Sequence, residues 1–396
     1  MPSSAMAATM DKAGLRIGIV ANEMSGDLLG AGLMRALQEQ VPDVVFEGVG
    51  GPRMLELGCN SLVPMERLSV MGLVEVLKHL PELLGIRRRL TKHFLDNPPD
   101  LFIGIDAPDF NLGLETRLKQ ASIPTVHYVS PTVWAWRPGR VKKIRAAVDL
   151  LLSIFPFEEA FLRKHQVPVN FVGHPLADEI PLENDQAAAR QSLGLPEDGE
   201  VIAIMPGSRM SEISALSETF IQAAKWCLER RPGLRFAVPL VSVRARNLFE
   251  QQLQAVAPDL PVTLLDGDAR QAIVAADAVL TKSGTSTLES LLLGRPMVVG
   301  YRMHGLSYNI VKWLNLVKVP YVAMANLLAD EALAPEFIQD ECRPELLGAA
   351  LLGFLQEPSR TAAIKARYHQ IHKEMQRDSS RRAAEAVLAL VRTESA

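Results

Sequence analysis

Val201-Ile-Ala-Ile-Met-Pro-Gly-Ser-Arg-Met-Ser-Glu-Ile213 decides the fold class. An apolar run ends in a Pro-Gly-Ser turn, and a helical pattern follows. A short apolar run feeding a helix through a glycine turn is one βα unit, and a series of such units builds a buried parallel sheet. The same pattern recurs on both sides. Upstream, strands are predicted at Leu15–Ala21, Val44–Val49, Leu101–Asp106, Thr125–Val129, Leu150–Phe155 and Asn170–Val172. Downstream they are predicted at Val201–Met205, Arg235–Leu240, Val262–Leu265, Ala278–Thr281 and Pro296–Gly300. Between the two runs, His174–Glu200 carries Pro175, Pro181, Pro196 and one short helical piece at Asp185–Leu193, which reads as a linker and entry helix. The expectation is an α/β chain of two doubly wound domains, 1–175 and 176–378, facing across a cleft. A C-terminal segment, 379–396, holds a helix patterned over Ser379–Val391, and the pattern leaves its docking domain open. In such sheets ligands bind at the carboxyl ends of the strands.

A chain of 396 residues exceeds one ordinary core of roughly 100–200 residues. It is 48% apolar and 22% charged, as a globular enzyme is, and its net charge of −3 gives no general case for nucleic acid. Cys59, Cys227 and Cys342 form no CxxC pair, so they read as small core residues in a reducing compartment. The first fourteen residues lack the apolar stretch of a signal peptide and read as a loose tail, and no run approaches the ~20 apolar residues of a membrane span.

The chemistry is expected in the loops after the strands. Asn22-Glu-Met-Ser-Gly-Asp27 precedes a helix predicted to open at Leu28. It is either a polar-ligand site at a helix N-terminus, through Glu23, Ser25, Gly26 and Asp27, or ordinary capping by Asp27 with Gly26 as the turn. The dinucleotide fingerprint GxGxxG is absent, and no nicotinamide, flavin or other cofactor is expected. Asp106 emerges from a buried strand where a general base is held rigidly, whereas Asp109, after Pro108, reads as a helix N-cap. His127 reads as a core histidine. Ser130, Trp134, Trp136 and Arg137 follow in a loop suited to a sugar. In the second half Gly207, Ser208 and Arg209 form a phosphate-type turn. Ser283, Gly284, Thr285, Ser286 and Thr287 form another, and Glu289, one turn into the next helix, is placed to accept ribose hydroxyls. Two such loops and a carboxylate describe a nucleoside-diphosphate pocket. Walker A is absent, and no DxD pair is placed to hold a metal.

Taken together these loops resemble the bacterial lipid-A-disaccharide synthase family. The matching residues are Asn22–Asp27, Val70-Met-Gly-Leu-Val-Glu-Val76, Gly104-Ile-Asp-Ala-Pro-Asp-Phe-Asn111, His127–Arg137, Pro206-Gly-Ser-Arg209, Ser283–Glu289 and Met297-Val-Val-Gly-Tyr-Arg302, continuing to Asn326. Asn22-Glu-Met24 stands where the family has Gly-Glu-Ala. The resemblance implies a GT-B fold of two Rossmann-like domains and a metal-independent, inverting transfer. The donor would be UDP-2,3-diacylglucosamine and the acceptor 2,3-diacylglucosamine 1-phosphate. The products would be a β-1,6-linked disaccharide 1-phosphate and UDP. By position it makes Asp106 the general base, Arg209 a contact of the donor diphosphate, and Glu289 and Asn326 part of the UDP pocket.

A diacylated substrate lies at a membrane, and residues 68–94 are both apolar and basic. Val70, Met71, Leu73, Leu83 and Leu84 interleave with Arg87, Arg88 and Arg89, and Pro81 is expected to split the stretch into two helices. The alternatives are acyl-chain or inner-membrane contact from the cytoplasmic face, and two helices simply packed on the sheet. A second basic run, Arg137–Arg145, suits lipid phosphates or the acceptor's 1-phosphate. A homodimer is compatible with all of this. Competing functions are another UDP-sugar enzyme of the same fold, such as a peptidoglycan glycosyltransferase or UDP-N-acetylglucosamine epimerase, and a non-catalytic nucleotide-sugar-binding protein at the membrane. The epimerase has no use for the apolar-basic stretch, and the binding protein has none for Asp106.

Overall fold

The computed structural model describes residues 14–69, 73–133, 138–302 and 321–394, with 73–78, 138 and 393–394 described as backbone. The chain forms two compact units, Met1–Pro175 with Asp378–Ala396, and Leu176–Arg377. The first contains β1 (Arg16–Ala21), β2 (Val45–Val49), β3 (Asn60–Ser61), β4 (Leu101–Ile105), β5 (Thr125–Tyr128), β6 (Leu150–Ser153) and β7 (Val169–Phe171). The second contains β8 (Val201–Met205), β9 (Arg235–Leu240), β10 (Val262–Asp266), β11 (Ala278–Lys282), β12 (Met297–Tyr301) and β13 (Glu336–Ile338).

Both sheets are parallel throughout, in the orders β3-β2-β1-β4-β5-β6-β7 and β10-β9-β8-β11-β12-β13. Helices cover both faces, so strands such as β4 and β8 are buried along their whole length and read as unbroken apolar runs. In each sheet the winding reverses between two neighbours, β1 and β4 in the first, β8 and β11 in the second. The crevice for a ligand opens at that reversal. The four loops leaving those strands are among those that the sequence marked for chemistry; the loop with Ser130 and Trp134 leaves β5 instead. Strands β3 and β13, of two and three residues, are too short to carry a pattern and were not predicted.

Three local expectations are settled. The helix Leu73–Asp96 runs through Pro81 without splitting. An internal proline costs roughly 3 kcal/mol. The helix absorbs that cost by burying Ile86, Leu90 and Phe94 among Val49, Met65, Leu114 and Leu118. The C-terminal helix, Ser379–Glu394, returns to the first unit, where Ala383, Ala384, Val387 and Leu388 join the core around Ile17, Leu33 and Leu37. Gly32 lets it approach the helix Met24–Gln40, since a Cβ there would meet Ser380 Oγ at 2.6 Å. The three cysteines are buried and free, and burial pushes the Cys59 and Cys227 thiols up to about 12, which keeps them protonated and inert.

His127 of β5 is wholly buried, and its Nδ1 lies 2.7 Å from Glu115 Oε1 on the helix Pro108–Gln120. Burial lifts the Glu115 carboxyl above its usual range, against the opposing pull of His127. His127 Nε2 and Glu115 Oε2 have no partner among the described residues, so the core histidine is satisfied on one nitrogen only. Gly104 of β4 makes room for the pair: a Cβ there would lie 2.1 Å from Glu115 Oε1 and 2.9 Å from Asn111 Cβ. Neither neighbour can yield, because both are fully buried. Gly104→Ala is therefore expected to cost ~1–3 kcal/mol by overpacking, read as a lower urea midpoint at unchanged slope. An unaltered midpoint would mean that Glu115 has somewhere else to go.

Candidate active site

In the second unit, β8 leads through Gly207 into the helix Met210–Arg230, and β11 leads through Gly284 into the helix Thr285–Leu292. Both glycines sit at positive φ, 131° and 140°, where a side chain is strained. Between the two turns lies a pocket of about 210 Å³, walled by Gly207, Ser208, Lys282, Thr285, Ser286 and Glu289 and also lined by Leu240 and Gly267. Gly207, Ser208, Thr285, Ser286 and Glu289 are thus brought together as the sequence grouped them. Ser283 Oγ donates to the Val322 carbonyl at 3.2 Å, and Arg209 is exposed at the N-cap of its helix.

What joins the two turns is an ion pair that the sequence did not disclose. Lys282 Nζ lies 3.1 Å from Glu212 Oε1, and Glu212 Oε2 accepts the backbone N–H groups of Ser208 and Arg209 at 3.1 and 3.3 Å. Both glycines make room for it. A Cβ at Gly207 would meet Glu212 Oε2 at 2.6 Å, and one at Gly284 would meet Lys282 Nζ at 2.7 Å. The backbone donors assigned to a phosphate are thus held by a carboxylate, which stands where an anion would stand. Burial raises the Glu212 pKa, but the Lys282 charge and the hydrogen bonds from Lys282, Arg209 and Ser208 outweigh it, and the carboxyl ends below its usual range. The signal for Glu212 was its place three residues after the N-cap, the capping-box spacing. Lys282, a lone charge closing an apolar strand, was also visible.

Glu289 is held by Arg270, whose Nε donates to it at 3.2 Å while Nη1 donates to Glu179 at 2.7 Å. Asn326 supports the pocket rather than walling it. Its buried amide bonds Ala334 O and Glu336 Oε1 at 2.7 and 2.8 Å and accepts from Ala334 N. Glu336 in turn accepts the N–H groups of Val322 and Ala323, and Thr287 Oγ1 accepts from Met324 N. Through Glu336, Val322 and Ser283, Asn326 therefore acts on the second turn at a distance.

In the first unit the helix opens at Met24, with Glu23 as N-cap, rather than at Leu28. Gly26 lies inside that helix and packs on Ala21, and Ser25 is exposed. Asp27 does not cap its own helix. Its two oxygens accept the N–H groups of Arg53 and Met54, at 3.0 and 3.1 Å, and so cap the helix Pro52–Glu56. Asp109 is likewise no N-cap: Ala107 holds that position, Pro108 follows, and Asp109 pairs with Arg140 at 2.8 Å.

Backbone strain marks the exits of β4 and β5. Asp106 and Ala107 have φ of 51° and 42°, and Val129 has φ of 80°, which is disfavoured for a β-branched residue. Such positions cost of order 1–3 kcal/mol each and persist only where the surroundings impose them. At Asp106 and Ala107, Asn111 does so. Its buried Nδ2 donates to the carbonyls of Ile105 and Asp106, at 3.1 and 2.9 Å, and lies 3.4 Å from Asn22 Oδ1. The loops after β1 and β4 are thereby tied together. Ser130 is buried nearby, donating to Pro131 O at 3.2 Å.

Val70, Met71 and Trp134 lie outside the described residues, as do Trp136 and Arg137, and only the backbone of Leu73 is described. Leu83 and Leu84 are half-buried, Leu80 is exposed, and Arg88 and Arg89 project from the same helix. Arg87 is half-buried against the helix Pro108–Gln120, with Nη1 donating to Asp109 O at 3.3 Å. No described helix is long and apolar enough to cross a membrane.

The family profile described as lipid-A-disaccharide synthetase matches residues 17–391. The lipid-A-disaccharide synthase of Pseudomonas aeruginosa (strain UCBPP-PA14) is 55% identical over 378 residues, which cover 96% of this chain and 98% of that protein. Among solved structures, the glycosyltransferase of kitacinnamycin superposes with a TM-score of 0.63 at 15% identity, covering 94% of this chain and 98% of that one. The UDP-GlcNAc 2-epimerase of Neisseria meningitidis bound to UDP-GlcNAc superposes with a TM-score of 0.56 at 12% identity, covering 96% and 99%. At those identities the two structures attest the fold, which is of the GT-B type.

The Glu212–Lys282 pair carries a pH dependence of definite sign. A carboxyl whose folded pKa lies below its ordinary 4.5 stabilises the fold fully above that pH and loses the contribution as pH falls through the folded value. Urea unfolding of wild type and Glu212→Gln should differ at pH 7 and converge in acid. Parallel curves across that range would remove the pair from the energetics of the pocket.

Proposed function

The chain belongs to the lipid-A-disaccharide synthase family, and we propose that it joins UDP-2,3-diacylglucosamine to 2,3-diacylglucosamine 1-phosphate by an inverting transfer. As a member of that family it is a glycosyltransferase of lipid A biosynthesis. In the proposed reaction the acceptor's 6-oxygen attacks the anomeric carbon of the donor. The bond from that carbon to the diphosphate breaks, and UDP leaves with the electron pair. Attack on the face opposite the leaving group gives the β-1,6 linkage.

The UDP moiety occupies the pocket between the Gly207 and Gly284 turns. Lys282, held by Glu212, and the exposed Arg209 oppose the charge that develops on the diphosphate, and a cation fixed in advance acts without reorganisation. Glu289, oriented by Arg270, accepts the ribose hydroxyls. Asp106 takes the proton of the 6-hydroxyl as the new bond forms. The observation that carries this role is the strained Asp106–Ala107 backbone at the winding reversal, imposed by the buried Asn111. A carboxylate presented on rigid, strained backbone suits a general base. Glu23, Ser25, Gly26, Asp27, Ser130 and Trp134 are proposed to border the acceptor, with Asp27 acting through the Arg53–Met54 backbone that it caps.

The acyl chains place the reaction at the inner face of the cytoplasmic membrane. The exposed Leu80, Arg88 and Arg89 belong to the contact surface, together with Val70, Met71, Leu73, Leu83 and Leu84. Ile86, Leu90 and Phe94 of the same helix serve the core instead. A homodimer is compatible with this scheme and is not required by it.

Asp106→Asn should lower turnover by ~10²–10⁴-fold, the worth of a positioned base, while calorimetric UDP affinity stays unchanged. Loss of UDP binding, or persistent turnover, would reassign the residue. Independently, UDP release should be strong with the diacylated donor and weak with UDP-N-acetylglucosamine; the reverse preference would remove the lipid substrate and leave the fold standing.

A further inference from the structure

A second cavity, of about 400 Å³, lies in the first unit beside the start of the helix Pro108–Gln120. Arg87 reaches its wall from the helix Leu73–Asp96, and Arg140 and Lys143 reach it from the start of the helix Val141–Ala147; among the described residues the one carboxylate on the wall is Asp109. Asp109 pairs with Arg140 at 2.8 Å, but its side chain is 81% exposed, so the pair is weak and easily exchanged. Arg87 donates to the Asp109 carbonyl at 3.3 Å and meets no carboxylate among the described residues, nor does Lys143. The seat of Arg87 is built: Gly113 faces it, and a Cβ there would lie 2.7 Å from Nη1. Burial lowers the pKa of Arg87, and the neighbouring charges of Arg117 and Arg88 lower it further, so like charges lie near this side chain. The positive end of the 13-residue helix adds to that field.

We propose that this cavity binds a phosphomonoester, and that it holds the 1-phosphate of the acceptor while Asp106 meets the 6-hydroxyl. The second half of that statement rests on the proposed function; the first does not. Three cations against one exchangeable carboxylate suit a dianion, and a phosphomonoester carries about −1.5 to −2 at neutral pH. Two guanidinium groups and an ammonium supply enough charged donors for its three oxygens. A carboxylate ligand would leave the field unbalanced. A phosphodiester headgroup carries a single charge and is served equally well by the exposed Arg88 and Arg89. Position fits as well. Pro108 and Gly113 follow Asp106 by two and seven residues, and at a rise of about 1.5 Å per helical residue the wall lies within roughly two turns of Asp106. One sugar ring with its substituents bridges such a span. On binding, the phosphate takes Arg140 from Asp109.

The test compares Arg140→Gln/Lys143→Gln and Arg87→Gln with wild type, after thermal unfolding has shown that each variant folds. With 2,3-diacylglucosamine 1-phosphate as acceptor, KM should rise by about ten- to a hundredfold, the loss of charge-assisted hydrogen bonds to phosphate. Donor KM and UDP affinity should not move. With the dephosphorylated acceptor, variants and wild type should behave alike. Asp109→Asn should lower the acceptor KM by removing the competing carboxylate. Titration with glucosamine 1-phosphate, followed by NMR, should show binding to wild type and none to the double variant. The phosphate site is overturned if glucosamine 1-phosphate binds both equally. It is also overturned if the variants lose sedimentation with phosphatidylglycerol vesicles while still discriminating between the two acceptors, which would make the cavity a headgroup site. If wild type uses neither acceptor yet binds glucosamine 1-phosphate, the proposed function falls and the phosphate site stands.

Discussion

Every strand pairing in both sheets is parallel, and the rest of the architecture depends on that constraint. Parallel neighbours cannot be joined by a hairpin, so each strand hands over to a crossover, usually a helix, that returns along a face of the sheet. All strand-to-helix turns therefore gather at one edge. Where the winding reverses, between β1 and β4 and again between β8 and β11, the turns on either side diverge and leave room for a ligand. Asp106, Gly207, Ser208 and the Ser283–Thr287 candidates sit on those turns. Catalysis on this scaffold is a matter of what each turn presents.

The two units prepare their turns by different physical means. In the second, two glycines at positive φ bring the backbone close, and the Glu212–Lys282 pair fills the space that they vacate. The pair holds both turns in register and keeps a cation at the pocket wall. The backbone donors of the first turn are oriented around the Glu212 carboxylate. In the first unit non-glycine residues occupy the strained positions, and Asn111 imposes the strain from beneath through two carbonyl bonds. Flexible glycine could adopt the same angles at Asp106 and Ala107 without that support, but Asp106 then could not carry a carboxylate. On the proposed roles, the difference follows from what each turn would offer, backbone donors in one case and a side chain in the other.

Asn326 and Asp27 show how the sequence can point to a site and mistake the contact. Both were assigned to the ligand, and both are buried with their polar atoms bonded to the protein's own backbone. Each fixes a neighbouring loop, Asn326 through Glu336 and Asp27 through the start of the helix Pro52–Glu56. A polar residue next to a binding loop looks the same in sequence whether it touches the ligand or braces the loop that does. Only the direction of the side chain separates the two, and that is set by the packing of elements remote in sequence.

By itself the sequence determined the α/β class, the two runs of βα units, eleven of the thirteen strands among the described residues, and the turns that carry Asp106, Gly207 and Gly284. These are local signals: apolar runs of strand length, glycine at the turns and helical spacing after them. The short β3 and β13 escaped because strands of two and three residues have no period, and they exist only where a neighbouring strand offers its edge. Tertiary structure alone decided that the last helix docks on the first unit, that Glu212 reaches Lys282 across 70 residues, and that Arg87 settles against Gly113. Each of these depends on which surfaces are left to bury once the sheets have formed, and burial is a property of the assembled core rather than of any segment.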